Sequence, residues 1–581
     1  MPALVAQAIT KTYTTGPIQT RVLPLKTRVV NSRLRLLLLV ILFTFATLGA
    51  RAAWLQTVRA SSLGAMAQTQ AKKPISLPAG RGTIYDRLGN PLAIGEQAID
   101  VDADPMQISD PRREARIAAK VLGIPVRPLY RQLSDRSSGF VYVQRKAPPR
   151  LAAKLMKRHL VGFAFEPDQQ RVYPQGTVAA PVLGYAGTDN TGLSGLELEL
   201  NKELKGRPGR AIEVRDALGQ AVNTIQERPA RNGRDVYLTL DSHIQANAEQ
   251  VLEQTVSEWH AKDATAIVLD PRTGAILGMA QEPGYNANGY PAATAHGLTL
   301  DHAVSDVFEP GSVFKVVTIG GALSQHDITP NTAIQVPGSL QVADRVIHDA
   351  EPHGLETLKV KQILQRSSNI GTDIIAARYL GESGLKHWMA RFGFGRRTGI
   401  DLPDESRGIP PSYWSGSTIG TVPIGQGVSV TAIQLASVYA AIANGGEWVQ
   451  PHLVDHVVGR QAPKPKRRRI LAPGVDNQLR TMLKGVVSDQ GTAELAAIPG
   501  YAVAGKTGTA QKPGPNGYIP GAYVATFVGM VPASRPRLLV LVTIDEPHGS
   551  IYGGLVAAPA FEQIASFDLQ YLEVPPDLRI K

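Results

Sequence analysis

The chain has 581 residues, 43% of them hydrophobic and 19% charged, a formal charge of +12 and no cysteine. That length and apolar content provide for more than one buried core and exclude global disorder, while the absent cysteines exclude disulfides, thiolate metal sites and a cysteine nucleophile. The positive charge suits an anionic lipid surface, an acidic polymer or nucleic acid, and does not choose among them.

Residues 1–33 contain Lys11, Arg21, Lys26, Arg28 and Arg33 and no acidic residue. An apolar run follows, Leu36–Ala50 (LLLLVILFTFATLGA), and with its flanks it predicts one membrane helix over 34–54. Arg35 and Arg51 bracket it and Trp54 suits the outer headgroup layer. The basic flank predicts a cytoplasmic tail over 1–33, with everything after Trp54 outside the cytoplasmic membrane. Ala50-Arg51-Ala52 also has the small-x-small form of a signal-peptide cleavage site, but the long basic flank favours retention as an anchor.

Residues 55–234 read as an α+β pedestal without a catalytic motif. A polar, helix-compatible stalk is predicted over Gln56–Pro74, then a strand and turn over Arg81–Ala93, where Gly89-Asn90-Pro91 supplies the turn. Helical periodicity returns at Pro111–Leu122 and Ala147–His159. A second domain is predicted over 235–570. It opens with a strand at Asp235–Leu240 and a helix over Asp241–Trp259 capped by Asp241 or Ser242. A hairpin pairs Thr265–Asp270 with Ala275–Ala280 through a Pro/Gly turn. Later strands at Tyr523–Val531 and Leu538–Ile544 leave a helical middle, so an antiparallel sheet flanked by helices is expected, an α+β fold. Lys464–Arg469 (KPKRRR) reads as a solvated loop, and residues 571–581 as a C-terminal tail.

Three short motifs carry chemistry. In Ser312-Val313-Phe314-Lys315, after Glu309-Pro310-Gly311, a serine opening a helix has its lysine one turn on along the same face. A partly desolvated lysine has a lowered pKa and its free amine can take the hydroxyl proton. In Ser367-Ser368-Asn369 a hydroxyl can relay a proton and an amide can hold both the lysine and a substrate amide. Lys506-Thr507-Gly508-Thr509, on a strand-like segment between small residues, suits a terminal carboxylate, with the amides of Thr509 and Ser312 facing an oxyanion. Each alone is commonplace, but their order is that of the penicillin-binding proteins and class A β-lactamases.

On these motifs the chain resembles a class B penicillin-binding protein of the division type, FtsI-like. Asp306–Lys315 (DVFEPGSVFK), Gln365–Gly371 (QRSSNIG), Gly425-Gln426-Gly427, Thr431–Ala436 and Gly505–Ala510 (GKTGTA) are similar to that family's transpeptidase domain. Arg81–Ala93, Arg171–Pro174 (RVYP) and Gly192–Glu197 (GLSGLE) are similar to its pedestal, the dimerisation-like domain. The resemblance implies a penicillin-binding/β-lactamase-like fold and a peptidoglycan D,D-transpeptidase working in septal cell-wall synthesis. Ser312 would attack a D-Ala-D-Ala stem peptide, with Lys315 as general base, Ser367 as relay, Asn369 as substrate and lysine contact and Lys506 as electrostatic partner. Thr507, Gly508 and Thr509 would bind substrate, an amine of a second stem would resolve the acyl-enzyme, and β-lactams would acylate Ser312. The partner it implies is a SEDS-type glycan polymerase such as FtsW, along with other division proteins. No metal, organic cofactor or nucleic acid is implied.

A hydrolase, either carboxypeptidase or β-lactamase-like, would use the same motifs. Glu405, in DESRG, lies downstream of Asn369 without the E-x-L-N pattern of class A enzymes. An elongation-type transpeptidase, and a non-enzymatic scaffold or antibiotic sensor, are the remaining alternatives.

Overall fold

The computed structural model describes residues 27–63, 65, 72–215, 221–295, 297–515 and 517–578. Lys11, Arg21 and Lys26 and part of the expected stalk lie outside the described residues. The rest falls into two bodies, residues 27–75 with 211–227, and residues 76–210 with 228–578.

In the first body, helix α1 (Thr27–Thr57) runs for 31 residues, about 45 Å at the α-helical rise of about 1.5 Å per residue. Its window Ser32–Thr57 has a mean hydropathy of 2.1 and no buried residue, so by length and composition it suits a bilayer crossing. The hydroxyls of Thr44 and Thr47 donate back to the carbonyls of Val40 and Phe43, so the two polar side chains present no free donor. The guanidiniums of Arg51 and Arg59 lie 4.6 and 4.8 Å from the Trp54 ring centroid. Strand β1 (Lys72–Leu77) forms a three-stranded sheet with Gly209–Arg215 and Ala221–Arg228.

The second body begins with β2 (Ile84–Tyr85) and the long β3 (Pro91–Ala103), joined through the predicted turn, where Gly89 takes φ +88. Helix α2 (Pro111–Leu122) has both ends signposted: Asp110 accepts from the Arg113 amide, Pro111 fills the first turn, and Gly123 closes the helix at φ 75. Its apolar face, Ala115, Ala118, Ala119 and Leu122, joins a small core with β4 (Val141–Ala147) and α3 (Pro149–Met156). The helix expected over Ala147–His159 is thus shorter, because Ala147 still belongs to a strand and Pro149 starts the helix. Strand β5 (Phe163–Val172) pairs along β3.

Strand β6 (Val236–Leu238) pairs in parallel with β2. Helix α4 (Ser242–Trp259) then starts from Asp241, whose side chain accepts from the His243 amide. The expected hairpin is β7 (Asp263–Leu269) with β8 (Ile276–Glu282). The helical middle contains α5 (Lys315–Ser324), α6 (Val360–Arg366), α7 (Asn369–Ile375) and α8 (Ala432–Ala443). Strand β9 (Val454–Val457) pairs with β6, so the sheet β9-β6-β2-β3-β4 takes strands from both sides of residue 235. The chain ends with β10 (Ala504–Gly514), β11 (Gly517–Val531), β12 (Leu538–Asp545) and α9 (Gly553–Tyr571).

The main sheet has the order β8-β7-β12-β11-β10, antiparallel throughout. Ala264–Leu269 and Leu538–Ile544 are buried at every position, so both faces are covered. Helices α4, α8 and α9 pack on it. The basic run is only partly a loop. Arg467–Arg469 form a short strand against Glu447–Val449, and the Arg468 guanidinium stacks over Trp448 while hydrogen bonding to the carbonyls of Arg391 and Phe392.

Candidate active site

Ser312 lies on a single 3-10 turn, Gly311–Phe314, which leads directly into α5. The serine is half-buried, whereas Lys315, on the first turn of α5, is fully buried at 0% exposure. Two close approaches fix the turn. Gly311 adopts φ +55, and a Cβ there would stand 3.0 Å from the Thr509 carbonyl; a Cβ on Gly508 would stand 2.9 Å from the Pro310 carbonyl. The Ser312 turn is therefore pressed against edge strand β10 at Gly508 and Thr509. From the other side the Gly311 amide donates to the Gly425 carbonyl at 3.1 Å. Glu309 accepts from the Gly427 amide and from the Tyr518 hydroxyl, both at 2.8 Å. Thr431 and Gln434 form a reciprocal capping box at the start of α8, and Tyr439 of that helix donates to the Val313 carbonyl at 2.8 Å.

Ser367 is the joint between α6 and α7. It closes α6 in the left-handed region at φ 61, a strained conformation for a serine, and its hydroxyl points at two lysines. Lys315 Nζ donates to the Ser367 carbonyl, to Ser367 Oγ at 3.2 Å and to Asn369 Oδ1 at 2.7 Å. Lys506 Nζ donates to the same Oγ at 2.9 Å. Lys506, on β10 in register with Val528 of β11, is also at 0% exposure. Thr507 Oγ1 lies 2.7 Å from Thr492 Oγ1, and Thr509 Oγ1 accepts from the Gly553 amide at 3.3 Å. All eight sequence-predicted residues, Ser312, Lys315, Ser367, Asn369, Lys506, Thr507, Gly508 and Thr509, thus belong to one cluster. In it Ser312, Ser367, Asn369 and Thr509 are half-exposed around the two buried amines.

Burial lowers the Lys315 pKa to about 7, against the opposing pull of Asp349 and Asp373. Burial, with the nearby Lys315 charge, takes Lys506 well below the usual lysine range. Sequence reasoning missed both aspartates. Asp349 caps α7: its Oδ1 accepts from the amides of Asn369 (2.5 Å) and Ile370 (3.0 Å), and its Oδ2 from Ser368 Oγ (2.7 Å). Nothing in the sequence around Asp349 links it to a motif some twenty residues on, but the register of Asp373, four residues after Asn369 on a helix, was readable.

The elements around this cluster also match known families. Residues 264–566 match the penicillin binding protein transpeptidase domain, and residues 76–238 the penicillin-binding protein dimerisation domain. A probable peptidoglycan D,D-transpeptidase PenA of Neisseria meningitidis is 32% identical over 94% of both chains. The peptidoglycan D,D-transpeptidase FtsI of Escherichia coli is 31% identical over 94% of this chain and 93% of its own. This chain belongs to the class B penicillin-binding proteins of the division type. Among solved structures, penicillin binding protein 3 of Mycobacterium tuberculosis complexed with aztreonam is similar with a TM-score of 0.69 at 31% identity, covering 87% of this chain and 100% of its own. The expected α+β architecture is that of these class B proteins: an antiparallel transpeptidase sheet after a dimerisation domain, with one apolar N-terminal helix anchoring the chain to a membrane.

The dimerisation-domain residues quoted from sequence also meet. Arg81 Nε and Arg171 Nε donate to the two oxygens of Glu197 at 2.6 and 2.5 Å, and all three side chains are buried. Arg81 also reaches the Asn190 carbonyl and Asn201 Oδ1, and Arg171 the Gly82 carbonyl. Residues far apart in the chain thus close one buried ionic node within this domain.

Proposed function

We propose that Ser312 is the nucleophile of this peptidoglycan D,D-transpeptidase and that it acts in septal cell-wall synthesis. The observation that carries this reading is the run of hydrogen bonds Lys315–Ser367–Lys506, which joins all three motifs behind Ser312. Lys315, with its pKa near 7, takes the hydroxyl proton as Ser312 Oγ bonds to the penultimate carbonyl of a D-Ala-D-Ala stem. The amides of Ser312 and Thr509 receive the oxyanion, since the turn and strand are in contact there. The C–N bond breaks, and the departing D-alanine takes its proton from Lys315 through the Ser367 hydroxyl. Asn369 holds the lysine and the substrate amide; Lys506, Thr507 and Thr509 hold the terminal carboxylate. An acceptor amine then attacks the ester, returns its proton by the same route and frees Ser312.

A hydrolytic outcome would need a base for water. Glu405 does not offer one: its oxygens accept from the Thr398 amide (2.5 Å), the Thr398 hydroxyl (2.6 Å) and the Gly399 amide (3.0 Å) and so hold a loop. The matching test is labelling with a fluorescent penicillin followed by mapping of the modified peptide. Label on Ser312, lost in Ser312→Ala, is the expected result; label elsewhere overturns the assignment.

The same reading divides the chain into a cytoplasmic tail over 1–33, a membrane helix over 34–54, a pedestal over 55–234, a transpeptidase domain over 235–570 and a tail over 571–581. The basic flank supports a cytoplasmic N-terminus and an extracytoplasmic catalytic domain. The pedestal and membrane helix would engage a SEDS-type glycan polymerase, FtsW-like. Co-purification of such a polymerase with the full chain, lost when residues 1–57 are removed, tests this.

A further inference from the structure

The basic run Lys464–Arg469 has no part in the Ser312 cluster, yet one of its side chains is held in place with care. Half-buried Arg468 reaches from its strand to the end of the helix Gly381–Phe392. There its guanidinium lies 4.8 Å from the Trp448 ring centroid and donates to the Arg391 carbonyl at 2.5 Å and the Phe392 carbonyl at 3.4 Å. Gly393, at φ +105, leaves the space for it, since a Cβ there would stand 2.8 Å from Arg468 Nη2. The loop that follows brings Arg396 and Arg397 to the same place, and with Arg468 they line one cavity of about 160 Å³ whose other walls include Trp448, Phe394 and Thr398.

Three like charges around one small cavity repel one another, and no acidic residue lines it among the described residues. Nor does Arg396, Arg397 or Arg468 have a carboxylate partner among them, whereas Arg467 of the same run has Glu447 at 3.1 Å. Glu405 is bound to the loop through the Thr398 amide and hydroxyl and the Gly399 amide. Burial and the charges of Arg396 and Arg391 lower the Arg468 pKa, the direction expected of a cationic site without its counter-ion.

We propose that Arg396, Arg397 and Arg468 form a binding site for a phosphate dianion, either free or as the terminal group of an ester. The planar fork of a guanidinium binds phosphate and carboxylate oxygens in pairs. A single carboxylate carries one charge and two oxygens, too few for three guanidiniums, whereas a phosphate carries close to two charges and at least three acceptor oxygens. The site is separate from the catalytic cluster, none of whose eight residues lines it. It adjoins that cluster through packing only: Phe394, in its wall, lies 5.1 Å ring to ring from Phe314 of the Ser312 turn.

The test follows the thermal unfolding midpoint of the full chain in a neutral detergent as sodium phosphate is added, against sodium chloride at matched ionic strength. The wild-type midpoint should rise with phosphate and saturate, beyond any rise in chloride. Arg396→Gln and Arg397→Gln should each weaken the apparent affinity by about tenfold or more, the usual size of a hydrogen bond to a charged group. Arg467→Gln, in the same run but outside the cavity, should respond as wild type. Glycerol 3-phosphate in place of inorganic phosphate separates the sources: a response to both marks an ester site, a response to inorganic phosphate alone marks a site for the free ion. Equal rises in phosphate and chloride, or an undiminished phosphate response in the two variants, overturn the proposal. So does a response confined to dihexanoyl phosphatidylglycerol, a diester with a single charge. If the variants do not fold, arginine modification by phenylglyoxal in the wild type decides: phosphate should protect Arg396 and Arg397 and leave Arg467 reactive, and equal reactivity with and without phosphate overturns the proposal.

Discussion

Lys315 and Lys506 are two fully buried amines meeting at one serine hydroxyl, and among the described residues neither makes a salt bridge to a carboxylate. Two ammonium ions cannot share such a site cheaply, so the arrangement favours a neutral amine. The sign for Lys315 follows from its lowered value. Above about 7 it is a free amine, and below that it becomes an ammonium, so if Lys315 is the proposed base for Ser312, penicillin acylation measured across pH should fall as pH drops through 7. Lys315→Arg installs a side chain that stays charged, and acylation should fall by about 10²–10⁴-fold at every pH, the usual contribution of a positioned base. Gly311 is a second sensitive position. It holds φ +55, and an added methyl carbon would stand 3.0 Å from the Thr509 carbonyl. Gly311→Ala should therefore push the turn off β10 and slow labelling, while the melting transition shifts by the equivalent of about 1–3 kcal/mol.

At the scale of elements, the most legible parts of the sequence were those with local punctuation. Helix α2 was readable from its periodicity over Pro111–Leu122, with Asp110 and Gly123 marking its ends in the structure, and α4 because Asp241 caps it. The β7–β8 hairpin followed from its apolar runs and Pro/Gly turn. The three motifs were legible as a set, and their meeting at Ser367 Oγ is where that reading became geometry. What was not legible depends on partners distant in the chain. Arg467–Arg469 became a strand only because Glu447–Val449 offers an edge. Asp349 caps α7 from a loop, which no periodicity announces. The Glu197 node is the clearest case, since its arginines lie 116 and 26 positions away. Glu197→Gln would leave two buried guanidiniums short of their counter-charge and should cost about 3–5 kcal/mol, read as a lower midpoint in urea unfolding.

At the scale of the whole molecule, anchor and chemistry are separable. Helix α1 and the Lys315–Ser367–Lys506 cluster belong to different bodies, so a chain lacking residues 1–57 should leave the membrane fraction and still be acylated at close to the full-length rate, as fractionation and penicillin labelling would show. The catalytic body itself is not separable into early and late pieces. Strand β7 pairs with β12, Thr265 opposite Thr543, and Lys506 reaches Ser367 only from β10. A chain made from its N-terminus therefore presents its serine long before it presents the strands that complete its site. Until β10 to β12 arrive, β7 has an uncovered edge and Ser312 has no Thr509 beside it, which makes the unfinished enzyme both unreactive to penicillin and prone to mispairing. The antibiotic's target comes into existence only when synthesis is nearly over.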